Sequence, residues 1–127
     1  MDNETIEISS LSSEIQKILT EYGEDVQRVA DEEVVEISKE AVKKLKQTSP
    51  KRDKNSSGYS KGWKMKKKDA RFGVETTVYN STHGWLVHIL ENGYEHREGG
   101  HVDGKPHVKP VQDWIDKELI QRIKAKL

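Results

Sequence analysis

The chain reads as an α+β domain: a long N-terminal amphipathic helix, a small antiparallel β-sheet, a short central helix, an extended glycine-rich loop and a C-terminal helix packed on the sheet. Three observations predict it. Apolar residues recur at three- and four-residue spacing from Leu11 to Thr48 and again from Val111 to Leu127, the period of a helix face. Between them, Trp63, Met65 and Lys67, and then Phe72, Val74, Thr76 and Val78, follow the alternation of strands. A short apolar run at Trp85 ends at a glycine and is followed by polar, glycine-rich sequence.

The 127 residues make one domain, with 1–49 an arm and long helix and 50–127 the α+β core. Hydrophobic residues are 32% and charged residues 35%, so a self-contained core is thin and subunit contacts are expected to supply part of the stability. The formal net charge is +0, and global charge therefore steers no partner. The absence of cysteine removes disulfides and thiolate metal sites. No apolar run approaches the roughly 20 residues of a membrane span. The acidic opening Met1-Asp2-Asn3-Glu4 lacks the basic and apolar regions of a signal peptide, so synthesis and use in a cytoplasm are expected unless a particle carries the chain out.

Thr5-Ile6-Glu7-Ile8 alternates and predicts a short extended piece. Ser13 with Gln16 fits a capping box. The stripe from Leu11 through Ile18, Val26, Val34, Ile37, Ala41 and Leu45 predicts one helix ending before Pro50. At ~1.5 Å per residue it would be about 50–55 Å long, more than the rest of the domain needs to cover itself. Its stripe therefore packs either wholly as core or partly on a neighbouring subunit. Gly23 costs about 1 kcal/mol relative to alanine and is where a bend or break would fall.

Glu21, Glu24, Asp25, Asp31, Glu32, Glu33, Glu36 and Glu40 make this helix acidic. The next segment inverts the sign, with Lys51, Arg52, Lys54, Lys61, Lys64, Lys66, Lys67, Lys68 and Arg71 against only Asp53 and Asp69. Asn55-Ser56-Ser57-Gly58 has loop composition. Tyr59 and Trp63, four apart, predict a helical turn before the first strand. Lys68-Asp69-Ala70-Arg71 is read as its turn, and a third strand is expected near residues 100–102 or from residues 6–8.

Leu86, Ile89 and Leu90 share one face of a short helix, with Thr82 or Ser81 as its cap and Asn92-Gly93 as its stop. The stretch from Tyr94 to Lys105 is too polar to form a core and reads as a functional or interface-forming loop. Pro106 and Pro110 stiffen the lead into the last helix, where Pro110 suits the first position. Asp113 and Asp116 favour that helix's positive end; Arg122, Lys124 and Lys126 favour its negative end.

Five histidines lie between His83 and His107. His83 and His88 are five apart, which is wrong for a helical zinc pair. His96 and His101 could meet Glu95 or Asp103 in the loop, yet no ligand spacing is present, and no metal or cofactor is expected. His88 and His107 are expected to hydrogen-bond locally. Glu91 is the best candidate for a general acid or base. No nucleophile motif or phosphate-cradling loop accompanies it, so enzyme activity is not expected. The lysines interleaved with Tyr59 and Trp63 admit three readings: a solvated strand face, a contact with the acidic helix of an adjacent subunit, or a contact with nucleic acid through phosphates and stacking.

A family resemblance adds to this. Leu86-Val87-His88-Ile89-Leu90-Glu91-Asn92-Gly93-Tyr94, then Arg97-Glu98-Gly99-Gly100-His101-Val102, then Pro106-His107-Val108-Lys109-Pro110-Val111, with Ser57-Gly58-Tyr59-Ser60-Lys61-Gly62-Trp63 upstream, resembles the small neck proteins of long-tailed bacteriophages. These are tail-completion, head–tail joining or minor tail-component proteins. The resemblance covers roughly residues 45 to 112, with Tyr94 where histidine is common and Val111 where alanine is common. It implies a structural virion protein in a ring, typically hexameric, around the DNA channel, touching neighbouring neck and tail proteins. On that reading Glu91, Tyr94, His96, Arg97, Gly99, Gly100, His101, Pro106, His107 and Pro110 form a subunit or partner interface. Lys61, Lys64, Lys66, Lys67, Lys68 and Arg71 would contact DNA or an acidic partner. The rivals are a tail-terminator ring, a small DNA-binding or nuclease protein using residues 61–71, and an adaptor that forms no ring.

Overall fold

A computed structural model describes residues 5–9, 17, 20–21, 23–50, 58–70 and 73–126. The elements run β1 (Ile6–Ser9), α1 (Glu24–Thr48), α2 (Gly58–Lys61), β2 (Trp63–Ala70), β3 (Gly73–Asn80), α3 (Leu86–Asn92), β4 (Gly93–Glu95), β5 (His101–Asp103) and α4 (Val108–Ala125). This is the α+β architecture expected from the sequence. The readings that fall on Ser13, Gln16, residues 51–57, Arg71, Phe72 and Leu127 lie outside the described residues.

The long helix is shorter than its stripe implied. Lys17, Thr20 and Glu21 are helical, but Gly23, at φ 82°, stands as the N-cap of α1 and breaks the helix there. Only glycine reaches that φ without strain. From it α1 runs 25 residues, about 38 Å at ~1.5 Å each. It stops at Ser49, whose backbone is extended, as a residue before proline must be, and whose N–H bonds Leu45 O at 2.9 Å.

The stripe Val26, Ala30, Val34, Ile37, Ala41 and Leu45 is buried throughout. It packs on one face of a three-stranded antiparallel sheet ordered β1-β3-β2. Ile6 pairs with Val78, and Val78 with Met65, so that row faces the helix, while Glu7, Thr77 and Lys66 make the adjacent outward row. Of the two expected sources of a third strand, residues 6–8 supply it. Thr76, fully buried in the inner face, is satisfied by Ser38 of α1 at 2.5 Å. Strand β2 continues through Ala70, which pairs with Gly73, so residues 68–70, expected in the turn, belong to the ladder.

Helix α4 closes the same core with Val108, Val111, Ile115, Leu119 and Ile123, its most extensive contact running along α1. The two helices are antiparallel, for Lys44 lies over the Trp114 ring, Arg122 binds Glu40 and Lys126 binds Glu33. The acidic helix thus finds cationic partners within its own chain. Arg122 holds Glu40 in a two-pronged pair, and this hydrogen bond keeps the Glu40 carboxyl below its ordinary range.

Candidate functional site: a buried junction beneath an exposed hairpin

Glu91 ends α3 pointing inward. Its Oε1 accepts the backbone N–H of His107 at 2.8 Å and of Val108 at 2.9 Å; Oε2 accepts that of Lys109 at 2.8 Å. These are the orphan donors at the start of α4, whose own N-cap, His107, makes no side-chain cap. Pro110 follows at the third helical position rather than the first, where it brings no N–H to satisfy. A carboxylate from another element therefore caps the helix and meets its positive end. Burial pushes the Glu91 pKa up, but the three backbone hydrogen bonds outweigh it and the net direction is down. Both carboxylate oxygens are thus engaged by the backbone at the start of α4.

His107 is buried beside it. Its Nδ1 faces Lys105 O at 2.8 Å and Glu91 Oε1 at 3.0 Å, both acceptors, so that nitrogen carries the proton. Nε2 lies 2.6 Å from the Tyr59 hydroxyl. Tyr59, Trp63 and His107 meet edge to face, with ring centroids 5.6 to 6.3 Å apart. Trp63 donates Nε1–H to Ser49 Oγ at 2.7 Å, and Ser49 in turn bonds Leu45 O. Asn80, also buried, donates to Tyr59 O at 2.7 Å and accepts from the backbone of His83 at 2.8 Å. The end of α1, α2, the start of β2, the end of β3, the end of α3 and the start of α4 all converge here. Tyr59, Trp63, Glu91 and His107, four of the residues that carry the sequence resemblance, are its centre.

Above this junction stands a feature that the sequence reading treats as a loop. Residues 93–103 form a two-stranded hairpin, with Gly93 opposite Asp103, Tyr94 opposite Val102 and Glu95 opposite His101. His96 N–H bonds Gly100 O at 2.7 Å across the turn. Gly93 stops α3 as expected, at φ 84°. A Cβ on Gly93 would lie 2.3 Å from Val102 O, and one on Gly104 would lie 2.4 Å from Glu91 O. These two glycines press the hairpin onto the end of α3, and Lys105 N–H bonds Leu90 O at 2.7 Å.

The candidate residues sort accordingly. Glu91 and His107, expected among the interface residues, are buried and bonded to each other inside the chain. Tyr94, His96, Arg97, Gly99, Gly100 and His101 are exposed on the hairpin, and Pro106 and Pro110 are exposed beside it. Lys61, Lys64, Lys66, Lys67 and Lys68 are at the end of α2 and along β2, in the other sheet, and are exposed too. Among the described residues, Tyr94 and Val102, across from each other, are large exposed apolar side chains, as is Trp85.

Other expectations shift too. Neither Ser81 nor Thr82 caps α3; Ser81 bonds Gly62 O and Thr82 bonds Gly58 O, tying β3 to the α2–β2 corner. The buried side chains of α3 are Val87 and Glu91, flanked by half-buried Leu86 and Leu90, so the inward face is rotated from the expected one. His88 does bond locally, to Asn92 at 3.0 Å. His101 bonds Glu95 at 3.0 Å and lies 3.6 Å from Asp103. Among the described residues, no three histidine, aspartate or glutamate side chains stand together as a metal-binding group. Among the same residues, no helix is long and apolar enough to cross a membrane.

The fold and this junction define a small α+β domain whose frame holds an exposed hairpin. Residues 13–93 match the HK97-gp10-like family, described as "Bacteriophage HK97-gp10, putative tail-component". The chain belongs to this family, a family of bacteriophage tail components. No curated protein and no solved structure matches it.

Proposed function

We propose that the protein is a component of the phage neck, which completes the tail or its junction with the head as part of a ring, hexameric in number, around the DNA channel. One observation carries this reading: the β4–β5 hairpin is fixed to the frame at Gly93, Gly104 and Lys105, yet its own side chains stay in solvent. A preformed element of this kind lowers the ordering cost of docking. Its two faces differ, with Tyr94 and Val102 on one side and Glu95, His101 and Asp103 on the other. It can therefore touch two neighbours, a copy within the ring and a protein of the adjacent ring. The protein would be made in the host cytoplasm and end in the virion. A tail-terminator ring is the nearest alternative within the same architecture.

The test is to image particles made with Tyr94→Ser and Val102→Ser. Full heads separated from finished tails are expected, with the purified variant still folded. Normal, infectious particles from that variant would overturn the reading.

A further inference from the structure

The outer face of the three-stranded sheet carries a shallow depression lined by Glu7, Lys66, Lys67, Lys68, Glu75 and Thr77. Lys64, Lys66 and Lys68 point to this side, alternating along β2 opposite Tyr79, Thr77 and Glu75. Lys68 makes a long ion pair with Glu75 at 3.7 Å, and Lys66 lies 5.6 Å from the Tyr79 ring centre. Arg122 is held by Glu40 and Glu118, and Lys126 by Glu33. Strand β2, by contrast, sets three exposed lysines, Lys64, Lys66 and Lys68, on one face of the sheet.

Resting on the ring reading above, we propose that this depression receives the acidic face of the β4–β5 hairpin from the next copy of the same chain. On that hairpin Glu95 and Asp103 share one face, in diagonal positions either side of His101. Diagonal cross-strand neighbours stand about 7–8 Å apart. Alternate residues of a strand, such as Lys66 and Lys68, stand about 6.6–6.8 Å apart. Two carboxylates thus meet two ammonium groups at matching spacing. On the acidic helix α1, Glu33 and Glu40 are held by α4 and Asp31 accepts Val74 N–H at 3.0 Å, so exposed Glu32 and Glu36 are the rival contact that the experiment below tests. DNA phosphates would meet the same lysines, and the experiment below separates that outcome from a protein contact. Two different patches meeting head to tail make a heterologous contact, the kind that closes into a ring.

The chain has no cysteine, so introduced pairs report directly. The experiment compares Lys66→Cys with Glu95→Cys in one chain against Lys66→Cys with Glu32→Cys, oxidised in assembled particles and run without reductant. A multimer ladder from the first pair, and at most dimers from each single variant, is expected. A ladder from the second pair only would assign the lysine face to α1 and overturn the proposal. So would no ladder from either, or salt-dependent binding of duplex DNA that Lys64→Gln, Lys66→Gln and Lys68→Gln abolish. Electron microscopy of the same particles reads the ring separately: a ring in which the first pair gives no ladder sinks this contact alone, whereas no ring sinks the reading beneath it. As a second measurement, Lys66→Glu with Lys68→Glu, and Glu95→Lys with Asp103→Lys, should each lower infectious particles at least about tenfold, because each reversal acts at every contact of the ring. Supplying both variants together should restore them, since every mixed contact is again complementary; no recovery would overturn the proposal.

Discussion

Glu91 Oε1 lies 2.8 Å from the backbone nitrogen of His107, sixteen residues further along the chain. That bond, with its companions to Val108 and Lys109, makes the end of one helix the cap of another. It places the hairpin between them as a closed excursion with both ends fixed.

Replacing Glu91 by alanine should therefore destabilise the whole domain. Buried helix-start donors lose their acceptor, a loss of about 2–4 kcal/mol. For a domain of this size that is a fall of roughly 5–15 °C in Tm. Thermal unfolding followed by circular dichroism measures it. A fall of a degree or less would show that solvent satisfies those donors.

Glu91 also sets a pH dependence. Its folded pKa lies below the ordinary 4.5. Its stabilisation is thus complete above that value and is lost as pH falls through the lower, folded pKa. Glu40, lowered chiefly by its hydrogen bond from Arg122, acts in the same direction. The stability gap between the protein and its Glu91→Gln variant should be widest near neutral pH and close below the ordinary 4.5. A gap unchanged down to strongly acid conditions would contradict the capping role.

The glycines should divide into two classes. Gly93→Ala and Gly104→Ala drive a methyl into backbone and should each lower Tm by several degrees. Gly99 and Gly100, at φ 98° and 88°, have open space around them. Alanine there costs about 1–2 kcal/mol per residue locally, confined to a hairpin that can open without the core. The double Gly99→Ala, Gly100→Ala variant should keep its far-UV spectrum and Tm yet yield fewer infectious particles. If it unfolds the monomer, the turn supports the fold rather than assembly.

A chelator should leave the unfolding midpoint where it is. A structural metal contributes folding free energy directly, so a fall of more than a few degrees would reveal a site that residue spacing does not show.

What is legible in the sequence is whatever repeats locally. The stripe of α1, its end before Pro50, the buried face of β3 and the stop at Gly93 are all periodic or short-range signals. The hairpin escapes such a reading because each strand is only three residues long and offers a single strand-forming side chain, Tyr94 or Val102, amid charge and glycine. The α4 cap escapes it because Glu91 lies sixteen or more residues from the donors it accepts; at α3 the nearby hydroxyl of Thr82 is the local candidate, and it bonds Gly58 O instead. Tyr59 with His107 and Trp63 with Ser49 are likewise long-range pairs that no window reveals. The resemblance points to Glu91 and His107 as interface residues; that both side chains face inward is visible only in the packing.

The clamp formed by Gly93, Gly104 and Lys105 has a mechanical consequence. A load applied to the hairpin tip is not resisted by its own three-residue strands alone. It passes through the end of α3 to the first turn of α4, and from α4 to α1 through Arg122 and Glu40. The projecting ribbon is rooted in the domain's frame like a cantilever, so a pull that leaves it folded is passed on to the helix pair.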